Sequence, residues 1–215
     1  MPHIHHFAHG WTTPTLAYLL SYLGSLLGLV ATARARQSAS AATRARWLVL
    51  GAWAIGGTGI WVMHFMAMIG FSVDGVPIGY DLTVTVASWL TAVIVVGIGL
   101  FIVGYGHATA WKVLAAGLFT GLGVAGMHYS GMAAMRMSAA INYDRVRVLL
   151  SVAIAVGAAT AALWFTLVVR RARWIAVIAA IMAVAVSGMH YTGMSAVSVG
   201  LRDDTAQVSG FDALS

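Results

Sequence analysis

Gly126-Met127-His128-Tyr129-Ser130-Gly131-Met132 recurs, with small changes, on either side of itself at nearly equal distances. The flanking copies are Val62-Met63-His64-Phe65-Met66-Ala67-Met68 and Gly188-Met189-His190-Tyr191-Thr192-Gly193-Met194. Each has Met directly before its His and Met four residues after it, and the position following the His is Phe65, Tyr129 or Tyr191. Recurrence at a fixed period of one ionisable, metal-competent residue predicts three structural repeats with their histidines in equivalent places.

The surroundings of these copies are apolar. Sixty per cent of the 215 residues are hydrophobic and 8% are charged, with a mean hydropathy of +0.88. Those values lie outside soluble usage and predict an integral membrane protein. Absence of cysteine excludes disulfides and thiolate metal sites, so His, Met, Asp and main-chain atoms are the available ligands. A net charge of +6 could suggest nucleic acid. The basic residues instead fall into short loops alternating along the chain, which is a topology signal.

Apolar runs cover residues 13–33, 47–71, 82–104, 111–135, 148–169 and 174–199, each near the ~20 residues that cross hydrocarbon as a helix. The fold class predicted is an all-α, polytopic membrane bundle of six helices. Arg34, Arg36, Arg44, Arg46, Lys112, Arg170, Arg171 and Arg173 fall on one side. Arg136, Arg145, Arg147, Arg202 and all six Asp fall on the other. The positive-inside rule makes the first set cytoplasmic and places both termini outside. Trp11, Trp61 and Trp89 then read as outer interfacial anchors, and Trp47, Trp111, Trp164 and Trp174 as inner ones. Gly24-x-x-x-Gly28 and Gly117-x-x-x-Gly121 are expected to let helix backbones approach closely.

Residues 1–12 form a His-rich outer tail, 13–200 a single transmembrane domain, and 201–215 a polar outer segment. The repeats span about 47–104, 111–169 and 174–215. A unit is an outgoing helix ending in the motif, a short outer loop, and a returning helix. Tyr80-Asp81 and Tyr143-Asp144 open the returning helices, with Ser88 and Ser151 seven residues beyond each Asp. The third unit stops before a returning helix, which suggests a seventh helix missing from this stretch of chain.

Two helices per unit return each copy to the same leaflet in the same direction, so the three histidines share one depth and can converge. On each helix the Met four residues on is offset from the His by about 40°, and the preceding Met by about 100° the other way. Met63, Met66, Met68, Met127, Met132, Met135, Met137, Met189 and Met194 crowd these histidines. Imidazole with thioether, lacking thiolate and intramembrane carboxylate, suits copper better than zinc, magnesium or calcium. The primary ligands read as His64, His128 and His190. Met63, Met68, Met127, Met132, Met189 and Met194 are further ligands or lie just outside them, and His5, His6 and His9 are weaker candidates. A bland alternative is that the three histidines bond neighbouring carbonyls and hold the bundle together. His107, outside every copy, is expected to be solvated.

Met127-His128-Tyr129-Ser130 and Met189-His190-Tyr191-Thr192, with the diverged Met63-His64-Phe65-Met66, resemble the signature of the MHYT family of bacterial integral-membrane sensor domains. The resemblance covers nearly the whole chain. His5-His6-Phe7 and Gly57-Thr58-Gly59-Ile60-Trp61 also resemble stand-alone actinobacterial members. It implies a copper site at the outer membrane face, sensing of O2, CO, NO or redox state, and a cytoplasmic signalling partner. Many members carry a cyclic-di-nucleotide cyclase or phosphodiesterase domain. These 215 residues hold none and are expected not to be an enzyme. Other readings of the same residues are a copper-dependent membrane oxidase or monooxygenase, a copper storage or handling protein, and haem ligation by two of the histidines.

Overall fold

The computed structural model describes residues 4–5, 7–107, 109–169 and 171–201. His6 and the segment from 202 onward, both singled out from the sequence, lie outside the described residues. Among the described residues, six helices are long and apolar enough to cross a membrane. They are α1 (Thr12–Gln37), a composite of α2 (Ala41–Ala52), a π-helical stretch (Trp53–Val62) and α3 (Met63–Ile69), α4 (Leu82–Gly104), α5 (Ala110–Ala133), α6 (Arg145–Val168) and α7 (Ala172–Ser195).

Capping residues set several of the starts. The side chains of Ser40, Asp81, Thr109 and Asp144 accept from the main-chain N–H three residues on, so α2, α4, α5 and α6 begin where a donor would otherwise be orphaned. The helices are inside out relative to a soluble protein. On α1 the buried positions include Thr13, Ala17, Ser21, Gly24, Ser25 and Gly28, while Leu16, Leu19, Leu23 and Leu27 face outward. Lipid tails are as apolar as leucine, so helix association rests on small residues that bring backbones together.

The glycine pairs do this. A Cβ on Gly24 would lie 2.3 Å from Gly59 N, and one on Gly121 would lie 2.4 Å from Val156 Cα. The π-helical stretch is built the same way: Met63 N–H bonds Thr58 O five residues back, and a Cβ on Gly56 would stand 2.6 Å from Ala92 O. Its wide turns are tolerable because glycine lets α1 and α4 close on them.

Short antiparallel strand pairs join the helices at the end that carries the motifs, a feature the hydropathy pattern does not announce. They are β1 (Ile4–His5) with β2 (Ser72–Val73), β3 (Gly79–Tyr80) with β4 (Met135–Arg136), and β5 (Ala139–Tyr143) with β6 (Val197–Leu201). Each pair sets the strand before an outer helix against the strand after a motif helix. The helices follow suit: Asp81 N–H bonds Ala134 O at 2.8 Å, Asp144 N–H bonds Ala196 O at 2.8 Å, and Ala8 N–H bonds Gly70 O at 2.9 Å. Thus α4 bridges α3 to α5 and α6 bridges α5 to α7. The place a third returning helix would take, between α7 and α3, is filled by α1. Three motif helices form an inner ring and three others a surrounding one, closed by the first helix of the chain.

Candidate metal centre

The ring brings the histidines together. His64, His128 and His190 are 1%, 0% and 1% exposed, and their ligand nitrogens all lie within 4.8 Å of one another. His64 Nδ1 stands 3.0 Å from His190 Nδ1 and 3.1 Å from His128 Nδ1. The rings meet nearly edge to face, at interplanar angles of 75°, 80° and 88°. Parity of the repeat places them at one depth, and the threefold packing turns each imidazole inward.

What holds each ring is the motif itself. The following aromatic packs edge-on against its own His: Phe65 on His64, Tyr129 on His128 and Tyr191 on His190, with centroids 5.0, 4.9 and 5.0 Å apart. This contact needs a ring and no hydroxyl, so Phe65 serves as well as tyrosine. The glycine three residues after a His seats the His of the preceding repeat. An ideal Cβ on Gly131 would fall 2.4 Å from His64 Nε2, and one on Gly193 would fall 2.2 Å from His128 Nε2. Sequence reasoning did not assign those glycines, although their recurrence in the second and third copies was the available signal. Ala67 occupies the equivalent place in the first copy.

The two methionine sets part company. Met68, Met132 and Met194, one turn beyond the histidines, are 0%, 0% and 3% exposed and share one buried cluster with Phe71, Val73, Tyr80 and Val197. Met127 and Met189 belong to the main bundle core, and Met63 packs with Ala17 and Ala67. The thioethers that collect on the side of the triad facing the strand pairs are therefore the later ones. Tyr80 lies in this cover beside Phe65, and burial pushes its phenol up to about 12. Asp81 beside it is held below its ordinary range by the Val84 N–H, with Arg136 adding to the effect.

Ser88 and Ser151 tie the motif helices to the outer ring. Ser151 Oγ lies 2.6 Å from Tyr129 Oη and donates to Val148 O, so the tyrosine is the donor between them. Ser88 accepts from Trp61 Nε1 at 3.0 Å. Trp61 thus makes a helix-to-helix hydrogen bond, a role its reading as an interfacial anchor did not foresee. His5 pairs with Asp74 at 3.2 Å and His9 is exposed; neither joins the triad. His107 is exposed, as expected.

Do these residues fit a metal? A neutral imidazole nitrogen either donates or accepts, never both. Whichever role His64 Nδ1 takes, its two neighbours must both take the other, and like groups then share one small space. If His64 Nδ1 accepts, its Nε2 carries hydrogen; if it donates, the hydrogen of His128 sits on Nε2. Both of these Nε2 atoms are buried without a hydrogen-bond partner. No protonation pattern satisfies the cluster by itself. A cation facing three Nδ1 lone pairs relieves the conflict at the centre. Ligand atoms bonded to one ion at 2.0–2.1 Å stand about 3.5 Å apart when the ion lies in their plane, a few tenths of an ångström wider than the two edges above. The donor set fits a metal ion, and among the described residues His64, His128 and His190 would hold it.

Two stretches, residues 57–117 and 121–183, match the model of the MHYT family, described as a bacterial signalling protein N terminal repeat. They contain His64 and His128. His190 lies beyond the second match. The bifunctional diguanylate cyclase/cyclic di-GMP phosphodiesterase MucR of Pseudomonas aeruginosa is 42% identical over 86% of this chain and 27% of its own length. The cyclic di-GMP phosphodiesterase NbdA of the same organism is 35% identical over 90% of this chain and 25% of its own. The signaling protein YkoW of Bacillus subtilis is 31% identical over 71% of this chain and 20% of its own. The chain spans about a quarter of the length of these curated relatives. Comparison with solved structures gave no significant match.

Proposed function

The chain belongs to the MHYT family of bacterial signalling proteins, and on that premise we propose that it is a membrane-embedded sensor unit, residues 13–200, whose ligand is copper at His64, His128 and His190 and whose signal is a diatomic gas or redox change. The observation that carries this reading is the buried triad itself, with His64 Nδ1 3.0 and 3.1 Å from the Nδ1 atoms of His190 and His128 and the Nε2 atoms of His64 and His128 buried without a partner. Copper is favoured because every nearby donor is neutral, so Cu(I) leaves one buried charge to stabilise in a low-dielectric site. Bound copper would supply an open coordination position for O2, CO or NO.

The protein's own part is to hold and to transmit. Phe65, Tyr129, Tyr191, Gly131 and Gly193 fix the imidazoles, and Met68, Met132 and Met194 cover them on the outer side. A shift of a motif helix is handed to the outer ring through Tyr129–Ser151 and Trp61–Ser88. These links join α5 to α6 and the first motif helix to α4, whose far ends carry the basic loops. The charge asymmetry supports a cytoplasmic inner face and termini outside, so the output would reach a cytoplasmic partner. Catalysis by the cyclase or phosphodiesterase parts of the relatives belongs to those proteins, and the present chain matches about a quarter of their length, the MHYT region.

Elemental analysis of protein purified without added metal tests the reading. Copper at a fixed stoichiometry that falls to background in His128→Ala is the expected result. An equal copper content in His128→Ala, or another metal in its place, overturns it.

A further inference from the structure

A cavity of about 60 Å³ lies in the bundle core on the side of the triad away from the methionine cover, and none of the three histidines lines it. Its near end is formed by Ile60, Val124 and Val186, each four residues before a motif histidine, together with Met189, which directly precedes His190. That places the chamber about one helical turn, roughly 5.4 Å, from the imidazoles. Its side wall is Ala158, Ala159 and Ala162 of α6, all only partly buried, so little more than methyl groups separates it from the lipid-facing surface.

The chamber is dry by construction. Its lining is aliphatic except for Thr120 and Thr166, and both hydroxyl protons are committed, to Val95 O and Leu163 O. A water there would find too few partners, whereas apolar cavities take apolar guests. The volume is several times the ~10–15 Å³ of one water-sized sphere. It suits one or two small molecules and excludes a lipid tail or a quinone ring. On the opposite side, Met68, Met132, Met194, Phe71 and Tyr80 shut the triad off from the outer aqueous face.

We propose that this chamber binds a diatomic gas entering from the hydrocarbon of the bilayer through the α6 wall, and that it is the triad's antechamber. The destination rests on the sensor reading above; the chamber itself does not. Gases of this kind dissolve more readily in hydrocarbon than in water, so approach through lipid concentrates them beside the histidines.

The test is methyl NMR of metal-free protein in lipid nanodiscs under dissolved O2, whose paramagnetism speeds relaxation of nearby methyls. Ile60, Val124 and Met189 should show enhancement several-fold above Val95, which is buried on α4 beside the lining residue Val96. Ala159→Phe, which fills the chamber, should bring them down to the Val95 level, and the milder Ala159→Val should fall between. Equal enhancement at lining and reference methyls overturns the proposal, as does enhancement indifferent to Ala159→Val and Ala159→Phe. A second arm measures NO association with copper-loaded protein, expected to slow at least tenfold in Ala159→Phe at unchanged copper content. An unchanged rate sinks the antechamber role while leaving the sensor reading standing. Failure of the wild-type protein to bind NO, with chamber enhancement intact, sinks the sensor reading and keeps the gas site.

Discussion

Adding one methyl group at Gly193 should displace a histidine in the neighbouring repeat. The Cβ of Gly193→Ala would lie 2.2 Å from His128 Nε2, 2.9 Å from its Cδ2 and 3.2 Å from its Cε1. Ordinary contact begins at 3.4 Å, so the nearest atom must retreat by 3.4 − 2.2 = 1.2 Å. Imidazole is rigid, and its opposite edge already touches His64 Nδ1 at 3.1 Å, so the retreat passes to the ligand triangle. Overpacking of this kind costs about 1–3 kcal/mol of stability. Loss of a ligand-orienting contact lowers metal affinity about 10–100-fold, or about 1.4–2.8 kcal/mol. Chelator competition on the purified protein reads the second effect, with Gly157→Ala as control because a Cβ there meets nothing within 4 Å. Unfolding in bicelles reads the first, and a double-mutant cycle isolates its cause. In a His128→Ala background the same change should cost little, a coupling of about 1–3 kcal/mol. Additive effects of Gly193→Ala and His128→Ala, or affinity within twofold of wild type, would refute the seating argument.

Three further outcomes follow from the geometry. Tyr129→Phe removes the bond to Ser151 and should cost about 0.5–1.5 kcal/mol in thermal unfolding while leaving metal stoichiometry unchanged, since Phe65 already fills that place in the first repeat. Asp81 has a folded pKa depressed below its ordinary 3.8, chiefly by the Val84 N–H and then by Arg136, so its contribution is present above that value and lost as pH falls through the folded one. Asp81→Asn should therefore flatten the stability profile as pH falls below 3.8, and an unchanged slope would assign it to other carboxylates. Gly121→Ala would press a Cβ to 2.4 Å from Val156 Cα and part α5 from α6, with a loss of about 1–3 kcal/mol in the same unfolding assay.

The spans and the convergence of the three histidines were legible because hydropathy and repeat parity both act through the helix period, which the sequence displays directly. Gly24 and Gly121 were legible for the same reason. The place of α1 in the surrounding ring was not. Asp81 and Asp144 flag the starts of α4 and α6 by capping, but the corresponding main-chain bond on the α1 side comes from Ala8, whose side chain carries no signal. The expected seventh helix lies outside the described residues, and the place between α7 and α3 is held by α1. The strand pairs are two to five residues long and depend on partners far away in sequence, so no local pattern marks them. The bond from Trp61 to Ser88 was not legible either, because amphipathic rings suit interfaces in general and the sequence does not name the acceptor. Within the site, the histidines were visible one by one. Their seats at Gly131 and Gly193 act across repeats, and no single copy of the motif reveals them.

Closure of the outer ring by α1 makes the seam between first and last helix a matter of connectivity and not of shape. A circular permutant opened in the short loop at residues 38–40, with residue 201 tied to residue 4, would run as three uninterrupted hairpins. Its ends would then emerge together at the membrane face opposite residues 4 and 201, around an unaltered histidine centre.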